Sequence, residues 1–459
     1  MSSAEITYKI AAIFFSLLIL GNGYLFKRIS GTWLLPGSIL SVFWFLMTFW
    51  GLVFLFGVPS HPLAIAFILF CVMSFSISSV FFNWKGARCR NYDKSGMSEI
   101  YFNNTFLKFT FIFTQLLVVL FLVLNIMNQG ISFHDIVFDF FKTAGKYSSM
   151  RYSGEVKSTI YTRLIFTFSY IGVVLGGLVY ATLAKSKFKS FVLFWSFFPS
   201  IVIMLTQSAK GAFFLSLAFF FASILVVRIF QGELTLLNRS TIKNLSKMLF
   251  VIVPLVILSF MSRGLTDASS DYVIWKLSSY LVSYAFGHIY TFADWFSWYL
   301  GDVSILPYEE KQISLGFYNF IALFEMLGQG IEVPRGIFDD YFLYDGFLKS
   351  NIYSIFRGMV LDFGVIGSFV YMFFLGFIFH LGFYALLINR TPTFSVVSFI
   401  FFVAFVYQTY IISIFIYRTI YLSIFLLSFI FVLNKLLVVG KLKKASNTKK
   451  RSVRNEPLL

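Results

Sequence analysis

The chemistry open to this chain rests on a scattered set of cations: Arg151 in SMRYSGE, Lys210 in TQSAKGAFF, Arg263 in SRGLTD, Arg335 in VPRGIFDD, Arg357 in NIYSIFRGMVLDFG and Arg418 in IYRTIY. A guanidinium offers two parallel N–H donors to a pair of phosphate oxygens, and an ammonium offers a compact charge. Gathered on one side of a membrane, such groups suit a lipid pyrophosphate. The plain alternative is that each is a long side chain reaching back to the interface, and for Arg151 and Arg418 taken singly that reading is preferred. Arg357 differs because it enters an otherwise apolar segment, with Asp362 shortly after it. Both are costly at membrane depth unless they pair or bind something. The plain reading here is an internal salt bridge that fixes a helix entry.

Transfer of a group to a hydroxyl also needs an acceptor for the hydroxyl proton. His288, Asp294, Glu325, Asp345 and Asp362 are the options on the same side. An unperturbed histidine titrates near neutrality, although a single histidine on a helix face is more often structural. Other chemistries find no residues to carry them. The chain has no Walker A loop, no dinucleotide-binding glycine pattern and no zinc-protease helix motif. Asp339 and Asp340 are adjacent, so on a helix or strand they do not face together to hold a metal. His61, His134, His288 and His380 are scattered, and Cys71 and Cys89 give neither a disulfide framework nor metal-ligand spacing. No cofactor or metal is expected, and a transferase built on these residues would draw its energy from an already activated lipid-linked donor.

The elements that must position these groups are membrane helices. The 459 residues are 58% hydrophobic and 12% charged, with a mean hydropathy of +0.82, far too apolar for a soluble domain. Apolar runs of spanning length are predicted at 6–26, 33–56, 62–82, 106–127, 161–184, 188–206, 211–230, 248–262, 364–388, 394–413 and 417–434. The first lacks a basic leader and is read as a retained helix. The 64 phenylalanines are read as lipid-facing filler before any aromatic substrate path. Basic loops follow every second span: Lys27 and Arg28, Lys85 to Lys94, Lys185 to Lys189, Arg228 to Lys247, Arg390, and the tail 435–459. The positive-inside rule puts these in the cytoplasm, the N-terminus and the segments 128–160 and 262–363 outside, and the tail inside. The net charge of +17 is thereby spent on orientation and contact with membrane lipids, and no nucleic acid partner is expected. The fold class is all-α: one polytopic integral membrane domain over 1–459, with about 11 transmembrane helices and a large outer loop. Within that loop, residues 272–300 place Lys276, Tyr280, Tyr284, His288, Thr291 and Trp295 on a shared helix face, in a helix that lies in the outer interface, re-enters or crosses.

The stretch KSNIYSIFRGMVLDFGVIGSFVYMFFLGFI resembles a segment of the oligosaccharide repeat-unit polymerases, the Wzy-type O-antigen polymerases, that runs from Asn-x-Tyr to Phe-Arg and then Asp-Phe-Gly. Here those positions are Asn351, Tyr353, Phe356, Arg357, Asp362, Phe363 and Gly364. SSYLVSYAFGHIYTFADWF is similar to the family's outer-loop segment, and QSAKGAFFLSLA to its small-basic-Gly helix start, where Lys210 stands in place of the usual arginine. The likeness of span order and loop placement covers most of the chain, and 349–367 is its more specific motif. The resemblance implies a GT-C-like helical fold in the bacterial inner membrane, and an inverting, metal-independent glycosyltransferase. It implies transfer of a growing glycan from undecaprenyl pyrophosphate onto a new lipid-linked repeat unit, so that both donor and acceptor are lipid-linked glycans, in company with a flippase and a chain-length regulator. Arg357, Asp362 and His288 are the expected catalytic residues, and Lys210, Arg263, Arg335, Arg151 and Arg418 the expected contacts to lipid pyrophosphate and glycan. Two other classes stay open: an O-antigen ligase or related lipid-linked glycan transferase, and a lipid-linked oligosaccharide flippase, which is not an enzyme.

Overall fold

The structure is a computed structural model that describes residues 2–92, 94, 96–139, 145–147, 149–150, 155, 159–207, 210–261, 269–309, 313–329 and 337–454. Helix α1 (Ser3–Ser30) opens on a capping box between Ser2 and Glu5 and closes at Gly31, whose φ of 75° a side chain would disfavour. Pro36 and Pro62 start α2 (Pro36–Phe54) and α3 (Pro62–Ile77), at positions where a backbone N–H would be unpaired in any case. There follow α4 (Trp84–Tyr92), α5 (Met97–Phe102), α6 (Thr105–Asn128), α7 (Phe133–Phe138), α8 (Ile160–Thr182), α9 (Lys187–Gln207), α10 (Lys210–Phe230) and α11 (Arg239–Met261). The chain continues through α12 (Ser270–Tyr299), α13 (Phe317–Met326), α14 (Ser354–Ile388), α15 (Phe394–Gln408) and α16 (Arg418–Arg454). Strands β1 (Phe342–Tyr344) and β2 (Leu348–Ser350) form an antiparallel hairpin with Phe342 opposite Ser350.

Among the described residues, 9 helices are long and apolar enough to cross a membrane, which makes this an all-α multi-pass membrane protein. Two further spans of the sequence reading fall on α11, whose apolar part is Ile252–Met261, and on α15, both short for a full crossing. Helix α15 nevertheless joins the two ends of the bundle. Before α15, the Pro392 carbonyl accepts from the Tyr101 hydroxyl. After it, the Thr409 carbonyl accepts from Ile355 N–H at 2.8 Å. Between these ends α15 runs antiparallel to α14, with Phe399 on Phe383 and Phe402 on Phe379.

The connections sort into two faces. On one, the basic face, Thr32 donates to the Leu234 carbonyl, Asn91 to Ile229, Lys94 to Leu386, and Asn104 to Asn434. On the other, the long-loop face, Lys9 meets the Leu55 carbonyl and Tyr290, His61 meets Asp302, Thr159 meets Asn125, and Arg418 meets Glu325. Helices pack through small residues, as expected where lipid supplies no hydrophobic drive for association. A Cβ on Gly177 of α8 would stand 2.9 Å from the Phe220 carbonyl of α10, and one on Gly376 of α14 would stand 2.3 Å from that of Phe75.

Two elements shape the long-loop face. Helix α12 is continuous over 30 residues, about 45 Å at 1.5 Å per residue, and is not among the candidate spans. It starts against the last turn of α11, with Tyr280 and Tyr284 on Phe260, and ends against α3, with Phe292 and Phe296 on Phe67. Between these, residues 286–290 touch α2 and its exit from Trp44 to Leu55. About 6 Å of α12 thus covers about 16 Å of α2, so α12 lies across the bundle. The hairpin runs along it, with Ser283 accepting from Lys349 N–H and Ser279 donating to the Phe347 carbonyl. The second element is a break in α14 at Gly364 (φ 67°, ψ −177°), a conformation close to glycine-only. It separates a buried segment, 354–362, from the apolar helix that follows, within one candidate span of Ser354–Ile388.

Candidate active site

Arg357 belongs to that buried segment. Its guanidinium carbon lies 4.2 Å from the ring centres of Phe338 and Tyr353 and 5.3 Å from those of Trp295 and Tyr308. The residue is 1% exposed. Nη2 donates to Asp340 Oδ2 at 2.6 Å, while Nε and Nη1 have no hydrogen-bond partner among the described residues. A desolvated cation on a ring face gains about 2 kcal/mol, which offsets part of the cost of burying it. Asp340 is the open side of the pair, with its side chain 32% exposed.

A relay of hydroxyls holds Asp340 from behind. Tyr353 donates to the Asp340 backbone carbonyl at 3.0 Å and stands 3.4 Å from the Tyr308 hydroxyl. Tyr308 donates to Asp294 at 2.9 Å, and Ile305 and Leu306 N–H groups donate to the same carboxylate. Burial pushes the Asp294 carboxyl above its usual range, against the pull of these three donors. Asp294 and Phe342 also line a cleft of about 330 Å³ with Tyr8, His61 and Asp302. Asp302, across that cleft, lies below the usual carboxylate range because Val303 N–H and then His61 favour its charged form.

Asp362 has a different task from the one its proximity to Arg357 in sequence suggests. The ion pair of Arg357 is with Asp340, and Asp362 takes no part in it. Asp362 is fully buried and accepts from the Ser314 hydroxyl, from Tyr318 N–H at 2.9 Å, and from Asn319 N–H and Nδ2 at 2.8 and 2.7 Å. Tyr318 and Asn319 form the first turn of α13, so Asp362 caps that helix from another segment of the chain. Two residues of the Asp-Phe-Gly motif are thereby accounted for structurally: Asp362 anchors α13 and Gly364 breaks α14.

The shared face of α12 is present, and its residues have distinct surroundings. Lys210 at the start of α10 is buried, 3.9 Å over the Phe260 ring, and donates to the Ser259 carbonyl at 3.3 Å. Phe260 in turn packs on Tyr280 and Tyr284, and Lys276 lies 5.2 Å over Tyr280. His288 is 1% exposed, set between the rings of Trp44 and Tyr410, with neither ring nitrogen hydrogen-bonded among the described residues. A general base needs hydrogen-bond reach to the hydroxyl it deprotonates, and His288 is buried in this structure. Trp295 completes the face at Arg357. Arg418 pairs with Glu325 at 2.8 Å, with both side chains more than a third exposed. Arg151, Arg263 and Arg335 lie outside the described residues.

The sequence reading missed several participants. Asp340 enters the sequence reading only with its neighbour as a failed metal pair, Trp295 only as part of the α12 face, and Tyr308 and Phe338 not as candidates. Lys9, fully buried, ties α1 to Tyr290 of α12 and to the Leu55 carbonyl; a lone lysine in an apolar run was the available signal. Among the described residues, no group of three or more histidine, cysteine, aspartate or glutamate side chains is placed to hold a metal ion. No protein-family model, curated protein or solved structure matches the chain.

Proposed function

We propose that this protein is a glycan polymerase of the Wzy type, with a GT-C-like architecture of 11 spans. It extends surface polysaccharide from undecaprenyl-pyrophosphate-linked repeat units at the outer face of a bacterial inner membrane. The observation that carries this reading is the row along α12. From Lys276 to Trp295 it connects two buried cations, Lys210 and Arg357, on the face that holds every long loop. The rise per residue makes this row about 28 Å long, with Lys276, Tyr280 and Tyr284 at its accessible end and His288, Thr291 and Trp295 buried behind the Arg357 cage. Aromatic rings and hydroxyls suit sugar faces and edges, and cations suit the developing charge of a departing pyrophosphate. The alternation of basic loops supports an outward long-loop face and an inward tail.

The chemistry is displacement at an anomeric carbon. An acceptor hydroxyl forms the glycosidic bond as the bond to pyrophosphate breaks, and holding two membrane-bound substrates side by side supplies much of the rate. A flippase fits less well, because a transport path calls for charged groups near mid-depth on several helices.

The test is reconstitution. Purified protein in liposomes, given only undecaprenyl-pyrophosphate repeat units with chelator present, should yield polymers. One free lipid pyrophosphate should appear per bond formed. Units that change leaflet without bond formation establish a flippase instead. Transfer only after lipid A core is added establishes a ligase.

A further inference from the structure

We infer that Asp340 is the carboxylate that takes the acceptor hydroxyl's proton, with Arg357 as its positioning residue; this rests on the transferase reading above. The choice follows from how the described acids nearest the Arg357 cage and those offered as proton acceptors are held; both oxygens of Asp302, for one, are taken by His61 and Val303 N–H. Asp362 is enclosed and bound by four donors, and both oxygens of Asp294 are taken. Glu325 sits in an exposed pair with Arg418, an arrangement that contributes little. Asp345 stands on the hairpin turn, exposed, with φ at 50°. Among the described acids compared, Asp340 combines an open side with a rigid hold. Oδ2 is fixed by Arg357, the backbone carbonyl is fixed by Tyr353, and Oδ1 has no hydrogen bond among the described residues.

The cost of the arrangement points the same way. An ion pair with one member buried adds little stability over well-packed apolar residues. Here the buried member also keeps Nε and Nη1 without a partner among the described residues, inside four aromatic rings. What that expense secures is a carboxylate whose position cannot drift, the requirement for proton transfer at the moment of bond formation. The acceptor oxygen bonds to the anomeric carbon and its proton passes to Asp340 Oδ1. The bond from carbon to pyrophosphate breaks, with its electron pair leaving on the pyrophosphate. Asp340 then returns the proton to water.

The experiment uses the full chain in liposomes with lipid-linked repeat units, and measures kcat, the KM for those units and the melting temperature. Asp340→Asn should keep the hydrogen bond to Arg357 and the melting temperature while kcat falls 10²- to 10⁴-fold, the range of a lost general base, with KM changed only a few-fold. Asp340→Glu keeps the charge and the pair, so it reports even if the Asn variant fails to fold. Its longer reach should lower kcat at least about tenfold. Arg357→Lys should lower kcat less than Asp340→Asn does. Wild-type kcat in either Asp340 variant overturns the inference while the polymerase reading stands. A wild-type protein that forms no glycosidic bond overturns both.

Discussion

Arg357 shows how one buried side chain is held by ring packing and by a charge pair together. Its cage and its pair with Asp340 predict two separable effects. Arg357→Ala empties the cage and leaves Asp340 partly open to solvent, and should destabilise the protein by about 0.5–3 kcal/mol through lost packing. Arg357→Lys keeps the charge but loses the planar fork and much of the stacking, so chain extension should fall at near-normal protein levels. Polymer length and yield set against immunoblotted protein measure both. Wild-type polymer from the Ala variant at normal level would remove Arg357 from the site. Asp294 carries a signed pH prediction. Burial raises its folded pKa above the unfolded value, so the folded state holds the proton more tightly. The stabilisation is fully present below the unfolded pKa and is lost as pH rises through the folded one. The melting temperature of wild type relative to Asp294→Asn should therefore rise as pH is lowered from 7 to 4. A flat difference would contradict the assignment of burial as the dominant cause.

Among the helices, α14 is the element on which the site depends. The break at Gly364 lets 354–362 sit apart from the helix that follows. Gly364→Ala forces a side chain into a conformation costing about 1–3 kcal/mol and should displace both Arg357 and Asp362. Polymerisation should fall more than protein level does. Gly376→Ala is the contrasting case, because its Cβ would meet the Phe75 carbonyl at 2.3 Å, on the path between α14 and α3. Overpacking of this kind costs about 1–3 kcal/mol. Thermal unfolding should show the loss while kcat of the folded fraction stays near wild type. Equal kcat losses in the two variants would mean that the break has no special bearing on the site.

For the protein in its membrane, the native cysteines are ready-made reporters. Cys89 is exposed on the basic face and Cys71 is buried between helices. If the basic face is inward, Cys89 should react with an impermeant thiol reagent only after spheroplasts are permeabilised, and Cys71 not at all. Leu343→Cys, at a half-exposed position of β1 on the long-loop face, should react in intact spheroplasts. The opposite pattern at Cys89 and residue 343 would invert the orientation and with it the proposed place of the reaction.

Composition and the spacing of apolar runs were enough to show a multi-pass helical protein, because the length of a membrane crossing and the need to satisfy every backbone hydrogen bond leave few alternatives. The same regularity exposed the basic loops and the α12 face from Lys276 to His288. Which charges meet could not be read this way. Arg357 and Asp362 are close in sequence, yet one pairs with Asp340 across the long loop and the other caps α13. His288 has the chemistry of a base, and only the fold shows that it is buried between Trp44 and Tyr410. Pairing and burial depend on chain segments brought together by folding, and for these residues the partners came from the long loop and from other helices, beyond the reach of local spacing.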